Sequence, residues 1–198
     1  MNRFPPTARV LVLAFAAVAV FAAPAAAGRI ALNPQAGMTW SNYSFDDNES
    51  INEESGRVGY AIGGTVRVGK RFKIVPGLYY QSTGFEATKT DNLTLSTITD
   101  EVGIKAFHIP VYVSFDLTVG GLRTYAGPSM TMVTSVDSND FGIEQNDFES
   151  TIYGGVLGAG FDFVLLTVDL NYEIGLSDVF KDTGARQNVL RAMVGLKL

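Results

Sequence analysis

The sequence predicts an all-β fold, an eight-stranded antiparallel transmembrane up-and-down β-barrel, and three observations carry that expectation. Of its 198 residues 46% are hydrophobic and only 18% charged, yet the one long apolar run lies near the N-terminus. Beyond that run, apolar and polar residues alternate with a period of two. The connections between the alternating segments are short and long in turn. Helical membrane spans need about 20 consecutive apolar residues each, so a multi-helix membrane protein is excluded. With no cysteine and a formal charge of −5, a disulfide scaffold, a Cys-based metal or redox centre and a nucleic-acid binder are excluded as well.

Residues 1–27 read as a secretory signal peptide. Arg3 and Arg9 precede the apolar stretch VLVLAFAAVAVFAA, and PAAAG supplies small residues for cleavage after Ala27. A permanent N-terminal membrane helix is the competing reading, but the apolar stretch is short and rich in alanine. No Cys follows it, which argues against a lipoprotein anchor. Residues 28–198 are then the barrel domain, with a formal charge of −7 once Arg3 and Arg9 are removed.

Eight segments alternate: 30–45, 56–68, 72–85, 101–116, 121–135, 151–163, 165–177 and 187–198. In the seventh, Leu166, Val168, Leu170, Tyr172, Ile174 and Leu176 share one parity, and Thr167, Asp169, Asn171, Glu173 and Gly175 the other. Successive strand side chains point to opposite faces, so each segment has one apolar and one polar face. Each reaches the ~9–11 residues that a tilted strand needs to cross a bilayer. Short connections are expected at Gly69–Arg71, Leu117–Gly121 and Val164–Leu165; long polar ones are expected at 46–55, 86–100, 136–150 and 178–186. An even strand number with this alternation is the pattern of outer-membrane barrels, whose short turns face the periplasm.

The short turns set a register. Closing Val164–Leu165 pairs Phe161 with Val168, Ala159 with Leu170 and Leu157 with Tyr172, and on the other face Gly160 with Asp169 and Gly158 with Asn171. Pairing Val68 with Phe72 puts Val66 by Ile74, Ile62 by Leu78, Tyr60 by Tyr80 and, on the polar face, Arg67 by Lys73. A one-residue slip would scramble both faces. A soluble calyx would turn the apolar face inward. The polar face here is dominated by glycine and small residues, which leave room for long side chains in a narrow interior. Aromatics near strand ends, among them Trp40, Tyr60, Phe72, Phe107, Tyr153, Phe161 and Phe163, suit interfacial girdles.

The segments QAGMTWSNYSF, GTVRVGKRFKIVPGLYYQSTGFE, FHIPVYVSFDL, YAGPSMTM and YGGVLGAGFDF followed by LTVDLNYEIGLSDV occur in order. Together they resemble the PorT-like outer-membrane β-barrel family common in the Bacteroidota, across residues 30–198. His108 departs from that pattern, standing where the family often has Glu before Ile-Pro. The resemblance implies a Gram-negative outer-membrane barrel; it implies no activity.

The lumen parity collects Arg57, Arg67, Lys73, His108, Asp116, Arg123, Asp169, Glu173, Arg191 and Lys197. Asp169 and Glu173 are expected beside Arg191 and Lys197 on the next strand. Buried charges must be paired, so these residues are expected to form an ionic network that fills the barrel. A proton- or solute-conducting path is the sharper alternative. His108 is the only histidine, and Ser129 is expected across the hairpin from it, the beginning of a nucleophilic pair. Both fall on the lumen parity with no orienting carboxylate evident, so no catalytic residue is assigned. One His and no Cys exclude a typical zinc site, and no cofactor site is read.

Fifteen of the 20 acidic residues fall in the long connections: Asp46, Asp47, Glu49, Glu53, Glu54, Glu86, Asp91, Asp100, Asp137, Asp140, Glu144, Asp147, Glu149, Asp178 and Asp182. A solvated acidic surface is the simplest reading. Divalent cations bridging lipid headgroups, or a basic partner, are the functional ones. Asp137–Gly142 begins like a calcium loop, but Phe148 stands where an EF-hand requires Glu. The expected partners are therefore outer-membrane lipid, envelope proteins and divalent cations at the acidic loops, with no nucleic acid. The expected function is non-enzymatic, structural or adhesive or in envelope assembly; a narrow transporter or a secretion-apparatus component is the alternative.

Overall fold

The computed structural model describes residues 29–44, 58–91, 96–117, 120–136, 151–179 and 186–198. They form eight strands: β1 (Arg29–Ser44), β2 (Val58–Gly69), β3 (Phe72–Asp91), β4 (Ser96–Asp116), β5 (Leu122–Val136), β6 (Thr151–Phe163), β7 (Leu166–Gly175) and β8 (Arg186–Leu196). Each pairs antiparallel with its sequence neighbours, and β1 pairs with β8 to close the barrel. Closure pairs the backbone polar groups of every strand on both sides, which hydrocarbon demands.

Which face is outside follows from burial. Along β7, Leu166, Val168, Leu170, Tyr172 and Ile174 are exposed, whereas Thr167, Asp169, Asn171, Glu173 and Gly175 are buried. The pattern is the same on β8, where Leu190, Val194 and Leu196 face out and Val189, Arg191 and Met193 face in. A soluble calyx would show the reverse. The apolar exterior, with Trp40, Tyr60, Phe72, Phe107, Tyr153, Phe161 and Phe163 among its exposed side chains, is therefore a lipid-facing wall.

Turn geometry decides register, and here the structure confirms one expectation and corrects another. Around Val164–Leu165, Phe161 pairs with Val168 and Gly160 with Asp169, as the two-residue connection requires. Val164 adopts a φ of 55°, the left-handed conformation such turns demand. Between β2 and β3 the register differs by two residues from the expected one: Gly69 pairs with Lys73, Val68 with Ile74 and Ile62 with Tyr80. Gly69, at φ 137°, ends the strand one residue later than expected, and a Cβ there would collide with the Phe72 carbonyl. A two-residue shift keeps each side chain on its face and changes only its neighbours. Arg67 and Lys73 are accordingly not opposite one another.

The connection expected at 86–100 is largely strand. The β3–β4 ladder continues from Gly84↔Gly103 out to Asp91↔Ser96. Thr88, Thr90, Thr97, Ile98 and Thr99 favour extended backbone strongly enough to outweigh the polarity of the segment. The proposed signal peptide, the acidic residues at 46–54, 137–149 and 182, and the Asp137–Gly142 motif lie outside the described residues.

Candidate functional site

Among the described residues, the lumen concentrates charged and polar side chains. Inward positions of β2, β5, β6 and β7 meet near the short-turn, periplasmic end. There Arg123 donates from Nη1 to Asp162 Oδ1 at 2.6 Å and from Nη2 to both Asp169 oxygens at 2.5 and 2.6 Å. Arg67 Nη1 donates to both oxygens of Asp162 at 2.9 Å, and its Nη2 stands 3.9 Å from Asp169 Oδ2. Lys197 Nζ reaches Asp162 Oδ2 at 3.2 Å from the rim. Gln35 Nε2 donates to Asp169 Oδ2 at 2.6 Å, and the Tyr79 hydroxyl donates to Gln35 Oε1. Thr167 and Asn33 hydrogen-bond at 3.0 Å. Two arginines and two aspartates thus form a periplasmic ionic layer in which each carboxylate meets more than one cation. Charge-assisted pairs of this kind are short and strong.

An outer ionic layer lies about 13 Å further along β7, four residues at ~3.3 Å each. Arg191 Nη2 donates to Glu173 Oε2 at 2.5 Å and to Gln81 Oε1 at 3.0 Å. Ser129 Oγ donates to Glu173 Oε1 at 2.5 Å. His108, 1% exposed, has Nδ1 3.1 Å from Thr131 Oγ1 and 3.7 Å from Glu173 Oε2. His108 Nε2 and Arg191 Nη1 are buried without a protein hydrogen-bond partner. Between the layers Val75, Tyr112, Tyr125 and Val156 pack as a buried cluster, with the two tyrosine rings 4.8 Å apart.

Glycines make room for both layers. A Cβ on Gly160 would fall on the Asp169 carboxylate and within 2.6 Å of Arg123 Cζ. One on Gly154 would lie 2.5 Å from Glu173 Oε1 and 2.8 Å from Ser129 Oγ, and one on Gly158 would enter the Tyr125 ring. Among the described residues a cavity of about 20 Å³ is lined in part by Asn33, Arg67, Ser114, Arg123, Asp169 and Asn171. That is room for about one water molecule.

Of the ten residues expected in the lumen, the structure gathers Arg67, Arg123, Asp169 and Lys197 in the periplasmic layer and His108, Glu173 and Arg191 in the outer one. Lys73 and Asp116 pair with each other at the periplasmic rim. Arg57 lies outside the described residues. Two neighbour assignments change. Lys197 pairs with Asp162 rather than Asp169. His108 faces Thr131 in register, while Ser129 faces Pro110 and spends its hydroxyl on Glu173. Glu173, one of the ten expected residues, is the carboxylate that the sequence reading did not place beside this pair: it touches Ser129 directly and lies near His108. The reading also missed Asp162, the hub of the periplasmic layer. Its parity placed it inside, between the outward Phe161 and Phe163, and that was the signal. Gln35, Tyr79 and Gln81 were missed because uncharged lumen residues carry no mark beyond parity.

The match to the family model of the outer membrane protein beta-barrel domain covers residues 13–197. The chain belongs to that family. Among solved structures it is similar to Ail, the attachment invasion locus protein of Yersinia pestis, in complex with the heparin analogue sucrose octasulfate. That similarity is at 14% identity with a TM-score of 0.54, over 86% of this chain and 99% of the other. It is also similar to Neisserial surface protein A, at 16% identity with a TM-score of 0.50, over 85% and 99%. These likenesses speak to the fold. Comparison with curated protein sequences finds no match. Family and fold place the chain in the outer membrane.

Proposed function

We propose that this protein is a closed, non-enzymatic outer-membrane barrel of the PorT-like type, exported by a signal peptide cut after Ala27, with a structural, adhesive or envelope-assembly role. The observation that carries the reading is the periplasmic ionic layer. Arg123, Arg67, Asp162 and Asp169 tie four strands together across the lumen, which supports a side-chain-filled interior. Eight strands leave an interior just wide enough for side chains, and breaking one such buried pair costs several kcal/mol. A solute path would have to meet that cost at each layer.

Catalysis has little support in this arrangement. Ser129 donates to Glu173 rather than to His108, and all three are buried in the lumen, away from lipid and water. Most of the acidic residues lie instead in the sequence stretches 46–54, 137–149 and 178–182. Ail was solved with a sulfated polyanion; acidic connections favour the opposite ligand, a basic protein surface or divalent cations that bridge lipid phosphates. The alternative roles, a narrow transporter or a secretion-apparatus component, keep the same fold.

Planar-bilayer recording of the folded protein tests the reading. The expected result is no single-channel steps. Steps whose size changes on Asp169→Asn or Glu173→Gln would overturn closure and assign the protein to transport. Gel mobility with and without boiling gives the companion control, since a folded barrel shifts on heating.

A further inference from the structure

The three short connections at the periplasmic end differ in chemistry. Val164–Leu165 is apolar, with both residues exposed, and Leu117–Gly121 carries no charge. The β2–β3 connection is Lys70–Arg71, both exposed. It is followed by Phe72, 68% exposed and outward-facing. Phe72 pairs in register with Phe115, and their rings lie 4.8 Å apart. The Arg71 guanidinium stands over the Phe115 ring with Cζ 5.2 Å from its centroid, a cation–π geometry that fixes the head of a long side chain. The Arg71 carbonyl accepts from Asp116 N at 3.0 Å, which fixes the backbone beneath it. Asp116 pairs with Lys73. Among the described residues of this corner, Lys70, Arg71 and Lys73 outnumber the Asp116 carboxylate. Immediately above it, Ile74 and Val113 present exposed apolar side chains to the bilayer.

We propose that Lys70 and Arg71 bind the phosphodiester of an anionic glycerophospholipid in the periplasmic leaflet, with Phe72 and Phe115 seated at the level of the upper acyl chain. The proposal rests on the outer-membrane reading, which sets the periplasmic end at the short turns. Three features point to lipid rather than a soluble anion. The cations border the lipid-facing wall, not the lumen. The two rings that position them are themselves part of that wall. Neither of the other two short connections contains a charged residue of its own, which singles out the β2–β3 turn for the headgroup. A positive group near an anionic leaflet gains about fivefold in affinity per charge. Loss of both should therefore cost about 25-fold.

The test is native mass spectrometry of the protein purified folded from bacterial outer membranes, in micelles doped with phosphatidylglycerol or phosphatidylcholine. Wild type is expected to retain phosphatidylglycerol selectively, and Lys70→Gln/Arg71→Gln to lose about 25-fold in that affinity with phosphatidylcholine retention unchanged. Because the double variant also removes the contact with Phe115, Lys70→Gln alone is the second arm, with a loss of about fivefold. Heat-dependent gel mobility shows that each variant is folded. Equal retention of the two lipids by wild type, or undiminished retention by the folded variants, overturns the proposal. Displacement of the lipid by inorganic phosphate or by a polyglutamate peptide at equal concentration overturns it too, because the site would then read a soluble anion. Channel steps in planar bilayers would sink closure and leave this result untouched, which keeps the two readings apart.

Discussion

Arg123 in the periplasmic layer and Arg191 in the outer layer hold equivalent posts, each a buried guanidinium facing carboxylates across a narrow lumen. Their surroundings differ. Asp169 has Arg123, Gln35 and the more distant Arg67, and Asp162 has Arg123, Arg67 and Lys197. Glu173 has a single cation at hydrogen-bond distance, Arg191, with Ser129 completing its shell. The outer layer also leaves His108 Nε2 and Arg191 Nη1 without a protein partner. One layer is redundant in its cations; the other rests on a single pair. The outer layer is therefore where a substitution should do most damage.

The largest expected effect follows from that contrast. Arg191→Met strips Glu173 of its one close cation and should destabilise the barrel by about 3–5 kcal/mol, the usual cost of orphaning a buried charge. Arg123→Met should cost clearly less, because Asp162 keeps two cations and Asp169 keeps Gln35. Urea-unfolding midpoints in micelles, followed by heat-dependent gel mobility, rank the two. Adding Glu173→Leu to Arg191→Met should recover most of the loss, since removing both partners of a buried pair is often near neutral. Equal costs for Arg191→Met and Arg123→Met would show that redundancy is not what separates the layers.

The same contrast bears on how much could be read before the fold was known. Parity along each strand is enough to place Arg67, Arg123, His108, Asp169, Glu173 and Arg191 inside, because a period of two leaves no other face for them. Partners across the lumen are a different matter. They depend on turn length, and Gly69 moves one hairpin by two residues. They depend on bulges, and the β4–β5 register shifts between Lys105 and Ala106. They depend on barrel stagger, which brings β2 and β6 together at Arg67 and Asp162 although they are not neighbours in the sheet. No hairpin rule reaches that last contact. The β6–β7 pairs were legible because a two-residue turn permits a single register.

Glycine gives a finer probe of the two layers. Gly160→Ala drives a methyl into Asp169 and Arg123, which several bonds hold in place, and should cost about 1–3 kcal/mol as overpacking does. Gly154→Ala meets the end of Glu173 and Ser129 Oγ, where unspent hydrogen-bonding capacity nearby lets the carboxylate shift. It should cost measurably less in the same unfolding assay. A Gly154 variant as damaging as the Gly160 variant would mean that the outer layer is as rigid as the inner one.

The smallest effect belongs at the rim. The Lys197 side chain is 38% exposed and reaches Asp162, which already accepts from Arg67 and Arg123. Solvent screens the ammonium, and its loss leaves no carboxylate unpaired. Lys197→Gln should therefore move the unfolding free energy by less than about 1 kcal/mol, as for exposed ion pairs generally. Added salt should shrink even that difference, whereas the Arg191→Met deficit, sheltered from ions in the lumen, should persist. If the Lys197 variant instead lost as much as the arginine variants, Asp162 would depend on its rim cation, and the periplasmic layer would be a chain of necessary links rather than a redundant one.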